Sequence, residues 1–145
     1  MRKKYLDSNP IREIEKPKNK SRKKEVDFLK PEEIRGLIAA TDGQKYKTMF
    51  LMAIMTGMRQ GEVLGLKWDD IDWFNCQLRV KRTYNHGRFF EPKSETSKRA
   101  IDLSPIVITE LKKWQLACLP NELNLVFPNK QGNPADGQNM VNRHF

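Results

Sequence analysis

The chain has 145 residues, with 27 Lys and Arg against 18 Asp and Glu, for a net charge of +9 at pH 7. That length suffices for one domain with a modest core, or for part of a larger one. No apolar run is long enough to span a membrane, and the N-terminus lacks the apolar stretch of a secretory signal. Cys76 and Cys118 have neither the number nor the spacing of a disulfide framework or a zinc site, so a cytoplasmic protein is expected, with both thiols packed as small apolar groups.

The charge is unevenly placed. Residues 1–24 hold ten basic and three acidic side chains, a net of +7 that leaves +2 for the remaining 121 residues. Pro10 and Pro17 interrupt any helix there and apolar residues are sparse, so this arm is expected to be a linker. A basic arm on a near-neutral body points to a polyanionic partner such as nucleic acid; a merely solvated linker is the other reading.

Folded structure is expected from about residue 25. Pro31 suits the first position of a helix, Glu32 and Glu33 suit its first turn, and Ile34, Leu37 and Ile38 form one apolar face before Asp42-Gly43 ends it. "QKYKTMFLMAIMTG" is apolar almost all round after Lys47 and predicts a buried helix capped by Gly57. A short helix from Gln60 to Lys67 follows, with Val63, Leu64 and Leu66 inward. The period then changes. "CQLRVKRTY" (76–84) alternates as a strand, "NHGR" (85–88) is turn chemistry, and "FFEPK" (89–93) returns as a second strand. "AIDLS" (100–104) makes a third. Ser104 and Pro105 suit the start of a helix whose inner face is Val107, Leu111, Trp114 and Cys118. "LNLVFPNKQGNPADG" is expected to be mostly extended loop, and 138–145 to begin another helix. The fold class is therefore α+β, mainly helical with a small three-stranded antiparallel sheet.

Three groups of residues could carry chemistry. In "TGMRQGEVLGLKWDDID", Arg59 and Glu62 are helical neighbours, so the carboxylate can orient a guanidinium whose planar fork of donors suits a phosphate; a structural salt bridge fits the same spacing. Residues 79–99 form a basic hairpin, with Arg79, Lys81, Arg82, Arg88, Lys93, Lys98 and Arg99 against Glu91 and Glu95 and with Tyr84, Phe89 and Phe90 interleaved. Such a ribbon can follow a DNA backbone, although lysines on an exposed edge strand also deter aggregation. Asp69, Asp70 and Asp72 could hold Mg²⁺ as in a nuclease, but no further acidic cluster or histidine pair accompanies them, and turn roles are expected.

In order along the chain, "FLKPEEIRGLI", "TGMRQGEVLGLKWDDID", "RTYNHGRFFEPKSETSKRAIDLS" and "LVFPNKQGNP" together resemble the tyrosine recombinases, the phage-integrase family. The resemblance covers about residues 26–145, and "SNPIREIEKP" resembles the family's connector, so residues 1–24 would be an interdomain linker and 25–145 the N-terminal part of the catalytic domain. The resemblance implies an enzyme that cuts and rejoins double-stranded DNA attachment sites through a 3′-phosphotyrosyl intermediate, as a tetramer on DNA. It implies no metal, no cofactor, no membrane and no small-molecule substrate. It assigns Arg59 to the scissile phosphate, Glu62 to its support, and Lys93 to protonation of the leaving 5′ oxygen. Arg79, Lys81, Arg82, Arg88, Lys98 and Arg99 would contact DNA. Two departures stand out. Lys30 replaces the usual Thr or Ser before the helix-starting proline. Arg143 has Met140 rather than His three residues earlier, so "NRHF" is not the family's His-x-x-Arg box. Tyr5, Tyr46 and Tyr84 all lie upstream of the position expected for the nucleophile, so a truncated domain, inactive by itself, is expected. The alternative is a DNA-binding regulatory module without catalysis.

Overall fold

The computed structural model describes residues 28–91, 98–135 and 137. The chain divides after Lys30, and its larger compact unit begins at Pro31. Two helices come first, α1 (Pro31–Ala40) and α2 (Gln44–Thr56). Pro31 occupies the first helical position, as its fixed φ favours. Ile34, Leu37 and Ile38 share the half-buried face of α1. Helix α2 closes at Gly57, whose left-handed φ of 63° turns its N–H onto the Ala53 carbonyl at 3.0 Å.

Helix α2 is not buried all round. Thr48, Met49, Leu51 and Met52 are buried, whereas Phe50 and Ile54 are half-buried and Met55 is exposed. Its inner face packs on α4 (Pro105–Ala117), whose expected inner residues Val107 and Leu111 are fully buried and Trp114 and Cys118 partly so. Between the two helices Gln44 donates to the Glu110 carboxylate at 2.7 Å, and within α4 Lys113 donates to its other oxygen at 2.7 Å. Ser104 occupies the N-cap position of α4, but its hydroxyl makes no capping hydrogen bond.

The short helix α3 spans Gln60–Leu64, ending three residues before the expected boundary. Gly65 terminates it, and Lys67 is drawn into a β-bridge with Leu125. Val126 donates to the Leu66 carbonyl at 2.9 Å and Trp68 to the Asn124 carbonyl at 3.0 Å. The segment expected to be a loop thus enters the core: Leu125, Val126 and Phe127 are wholly buried. Asn121 holds it by exchanging side-chain hydrogen bonds with the backbone of Leu125.

The three-stranded antiparallel sheet is present, with a different composition from that expected. Its order is β1 (Ile71–Asp72), β2 (Gln77–Val80), β5 (Arg99–Asp102). The expected strand 76–84 is split. Its second half is β3 (Thr83–Asn85), which pairs with β4 (Arg88–Phe90) as a separate hairpin around His86 and Gly87, both at positive φ. The split falls at Lys81-Arg82, where both side chains reach the same carboxylate, Asp70. Consecutive strand residues point to opposite faces, so this shared partner is incompatible with a continuous strand. Cys76 is not packed as expected: it lies exposed in the β1–β2 turn at φ 52°.

Candidate active site

Arg59 follows the buried Met58 and precedes α3, with an extended backbone. Its own N–H donates to Glu62 Oε2 at 2.9 Å, the side-chain-to-N-cap bond expected of an acidic residue in the first helical turn. Its guanidinium reaches Glu62 Oε1 through one nitrogen at 3.3 Å. The Arg59 side chain is otherwise open to solvent, 80% exposed against 8% for that of Glu62. A guanidinium has five donors, so most of Arg59's fork faces outward.

Glu62 has a second partner. Arg99 donates to Oε1 at 3.0 Å and to Oε2 at 2.8 Å, a two-pronged pair with a largely buried carboxylate. Sheet register puts it there. Val80 pairs with Arg99 and Leu78 with Ile101, and residues directly opposite share a face. Arg99 therefore points to the inner side with Leu78 and Val80, while Arg79 and Ala100 point outward. Burial raises the Glu62 pKa, but the hydrogen bonds from Arg99 and Arg59 outweigh it and hold the carboxyl below its ordinary value. The same contact raises Arg99.

A second carboxylate repeats the pattern. Asp70, 3% exposed, accepts from the Lys67 N–H at 3.0 Å, from both terminal nitrogens of Arg82, and from Lys81 at 3.2 Å. Arg82 and Lys81 are thus bound to the body of the protein. Arg79, Arg88 and Lys98 are exposed. A groove of about 800 Å³ between sheet and hairpin is lined by Lys67, Arg79, Lys81, Arg82, Lys98 and Arg99, with Phe89, Phe90 and Glu91. Arg59 lines a neighbouring groove of about 700 Å³ with Tyr84 and the hairpin turn. Glu62 joins the two by holding one arginine from each. Lys93 lies outside the described residues.

Asp69 is exposed, and Asp72 caps the β1–β2 turn by accepting from the Asn75 N–H at 3.0 Å. Asp70 caps the Lys67 N–H and Asp72 the β1–β2 turn, the roles expected of them, and Asp70 is in addition a buried partner of Lys81 and Arg82. Among the described residues, no three His, Cys, Asp or Glu side chains gather where they could hold a metal.

Gly61 and Gly65 escaped the sequence reading. A Cβ on Gly61 would stand 2.4 Å from Thr83 Oγ1 and 2.8 Å from the Tyr84 carbonyl oxygen, and one on Gly65 3.1 Å from the Tyr84 nitrogen. Their bare backbone lets β3 lie against α3, beside Arg59. Their spacing of four residues was the available clue.

The family model described as the phage integrase family matches residues 27–144. This chain belongs to that family. Among its relatives, a XerC-like tyrosine recombinase of Caldanaerobacter subterraneus subsp. tengcongensis is 38% identical over 81 residues, covering 56% of this chain and 21% of the relative. The ICEBs1 integrase of Bacillus subtilis is 32% identical over 111 residues, covering 71% and 30%. The chain therefore spans between a fifth and a third of the length of these integrase-family relatives. In fold it is similar to the Tn1549 transposon integrase, solved in complex with circular intermediate DNA (TM-score 0.70, 20% identity, 80% of this chain and 43% of that one). It is likewise similar to the XerA recombinase (TM-score 0.68, 17% identity, 88% and 43%).

Proposed function

We propose that this chain supplies the first part of the catalytic domain of a site-specific tyrosine recombinase, an integrase that moves a mobile element by cutting and rejoining double-stranded DNA. The observation that carries this is the outward-facing Arg59, held from behind by a buried, ionised Glu62, in a chain of this family. A phosphodiester under attack gathers negative charge on its non-bridging oxygens. A guanidinium already aimed at that charge opposes it with little reorganisation. Attack by a tyrosine hydroxyl, whose proton passes to a base or to water, forms the 3′-phosphotyrosyl bond and breaks the bond to the 5′ oxygen, which takes a proton. Lys93 is assigned that proton transfer. Religation reverses the step, so the phosphodiester energy is kept in the covalent intermediate. Neither Tyr46 nor Tyr84 is assigned as the nucleophile, and the reaction is proposed for the whole protein. Arg79, Arg88 and Lys98 are assigned to DNA backbone contacts; Lys81 and Arg82 line the groove with Arg79 and Lys98 but are held by Asp70. A tetramer on its paired sites, acting in the cytoplasm, completes the reading.

The test is strand cleavage by the full-length protein on a nicked duplex that traps the covalent intermediate. Arg59→Ala and Lys93→Ala should each abolish trapping, while duplex binding stays within about threefold of wild type, no more than one phosphate contact's worth. Cleavage at the wild-type rate in both variants would refute the assignment. A regulatory module without catalysis would trap no intermediate even as wild type.

A further inference from the structure

Glu62 is held very unequally by its two arginines. Arg99 grips both carboxylate oxygens, at 3.0 and 2.8 Å, and its side chain is 32% exposed. Arg59 touches one oxygen with one side-chain nitrogen at 3.3 Å and is 80% exposed. The carboxylate is thus held from the helix side by the Arg59 N–H at 2.9 Å and from the sheet side by the Arg99 fork, while the Arg59 guanidinium is the weakest of its contacts. The planar fork spans both oxygens, so that Oε1 is shared by Arg99 and the Arg59 guanidinium, and Oε2 by Arg99 and the Arg59 N–H. Arg99 is in turn fixed by its pairing with Val80, on the inner face of the sheet. We propose that Arg99 is a positioning residue that aims Arg59 at the scissile phosphate through Glu62, and that it does not itself contact DNA. This rests on the reading of Arg59 as the phosphate-contacting arginine.

Tied by the Arg59 N–H alone, the carboxylate can still pivot about that one bond and carry the Arg59 guanidinium with it. Clamped to the sheet, it gives Arg59 a fixed origin relative to β2 and β5. Displacing a catalytic group by about 1 Å can cost on the order of a hundredfold in rate, so a residue that never meets the substrate can still govern cleavage.

The experiment uses the full-length protein and a nicked duplex bearing the sequence that wild-type protein selects from a random pool. Single-turnover cleavage, duplex affinity and its salt dependence are measured for Arg99→Gln, Arg99→Lys, Glu62→Gln and the Glu62→Gln/Arg99→Gln pair, with folding checked by thermal melting. Arg99→Gln should slow cleavage on the order of a hundredfold, leaving affinity and salt slope unchanged. Arg99→Lys, which keeps the charge and loses the fork, should recover part of the rate. In the Glu62→Gln background, Arg99→Gln should cost no more than about twofold further, as expected of residues acting as one unit. Three results would each overturn the proposal: a salt slope reduced by about 0.9, the mark of a lost phosphate contact; unchanged cleavage by folded Arg99→Gln; or fully additive losses in the pair. If Arg99→Gln does not fold, Arg99→Lys decides: slowed cleavage with intact binding supports the proposal, and wild-type cleavage overturns it. Arg59→Ala separates the two levels. Wild-type cleavage there defeats the functional reading itself, whereas lost cleavage there with unaffected Arg99 variants defeats only this proposal.

Discussion

Glu62 shows how much one side chain can organise. It caps the backbone of Arg59, accepts from two guanidinium groups and sits almost out of water. Removing its charge leaves Arg99 half-buried and unpaired. Because Arg99 keeps some contact with solvent, Glu62→Gln is expected to cost about 2 kcal/mol at pH 7, below the loss seen for a fully buried pair. The folded-state pKa lies below the ordinary glutamate value of 4.5. The stabilisation is therefore fully present above that value and lost as pH falls through the lower, folded one. Urea titrations of wild type and Glu62→Gln should differ most near neutrality and converge in acid; a constant gap down to pH 2 would count against the linkage. The Arg59–Glu62 pair itself was legible from spacing alone. Arg99 as its third member was not, because the contact spans 37 residues and depends on which face of β5 turns inward.

Elements in this protein are placed by close approach as much as by apolar periodicity. Helix α3 has only five residues, too few to hold itself together, and it is set by contact with β3 at Gly61 and Gly65. In Gly61→Ala the new methyl would meet the Thr83 hydroxyl, which can rotate away, and the Tyr84 carbonyl, which belongs to the paired backbone and cannot. A loss of about 1–3 kcal/mol is expected. Gly36, inside α1 with open space around its Cβ position, gives the opposite sign: Gly36→Ala should stabilise by about 0.5–1 kcal/mol through helix propensity. Chemical unfolding of the two variants side by side tests both, and equal effects would contradict the packing argument. The split of the long strand belongs to this scale too. "CQLRVKRTY" alternates correctly for a strand on both sides of Lys81-Arg82. Nothing local shows that Asp70, eleven and twelve residues earlier, captures both side chains.

Across the whole molecule, the basic excess divides into cations the fold uses and cations it leaves outward. Arg82 and Arg99 are internal counter-charges to Asp70 and Glu62, whereas Arg79 projects from the outer face of the sheet. Fluorescence anisotropy on a generic duplex over a KCl series should show the difference. Arg79→Gln should lower the slope of log affinity against log salt by about 0.9, while Arg82→Gln should leave the slope unchanged and lower the melting temperature instead. An equal slope change in both would mean that the groove cations act alike. The sequence by itself determined α1, α2 and α4, the start of α3, a hairpin turn within 85–88, the α+β class and the Arg59–Glu62 pair, because periodicity, turn chemistry and helical spacing act over a few residues. The helix expected over 138–145 lies outside the described residues. Tertiary structure alone decided which strands share a sheet, that Leu125–Phe127 threads the core, and which arginines face inward. Those outcomes depend on register and on buried carboxylates that draw partners from distant parts of the chain, where local pattern carries no information.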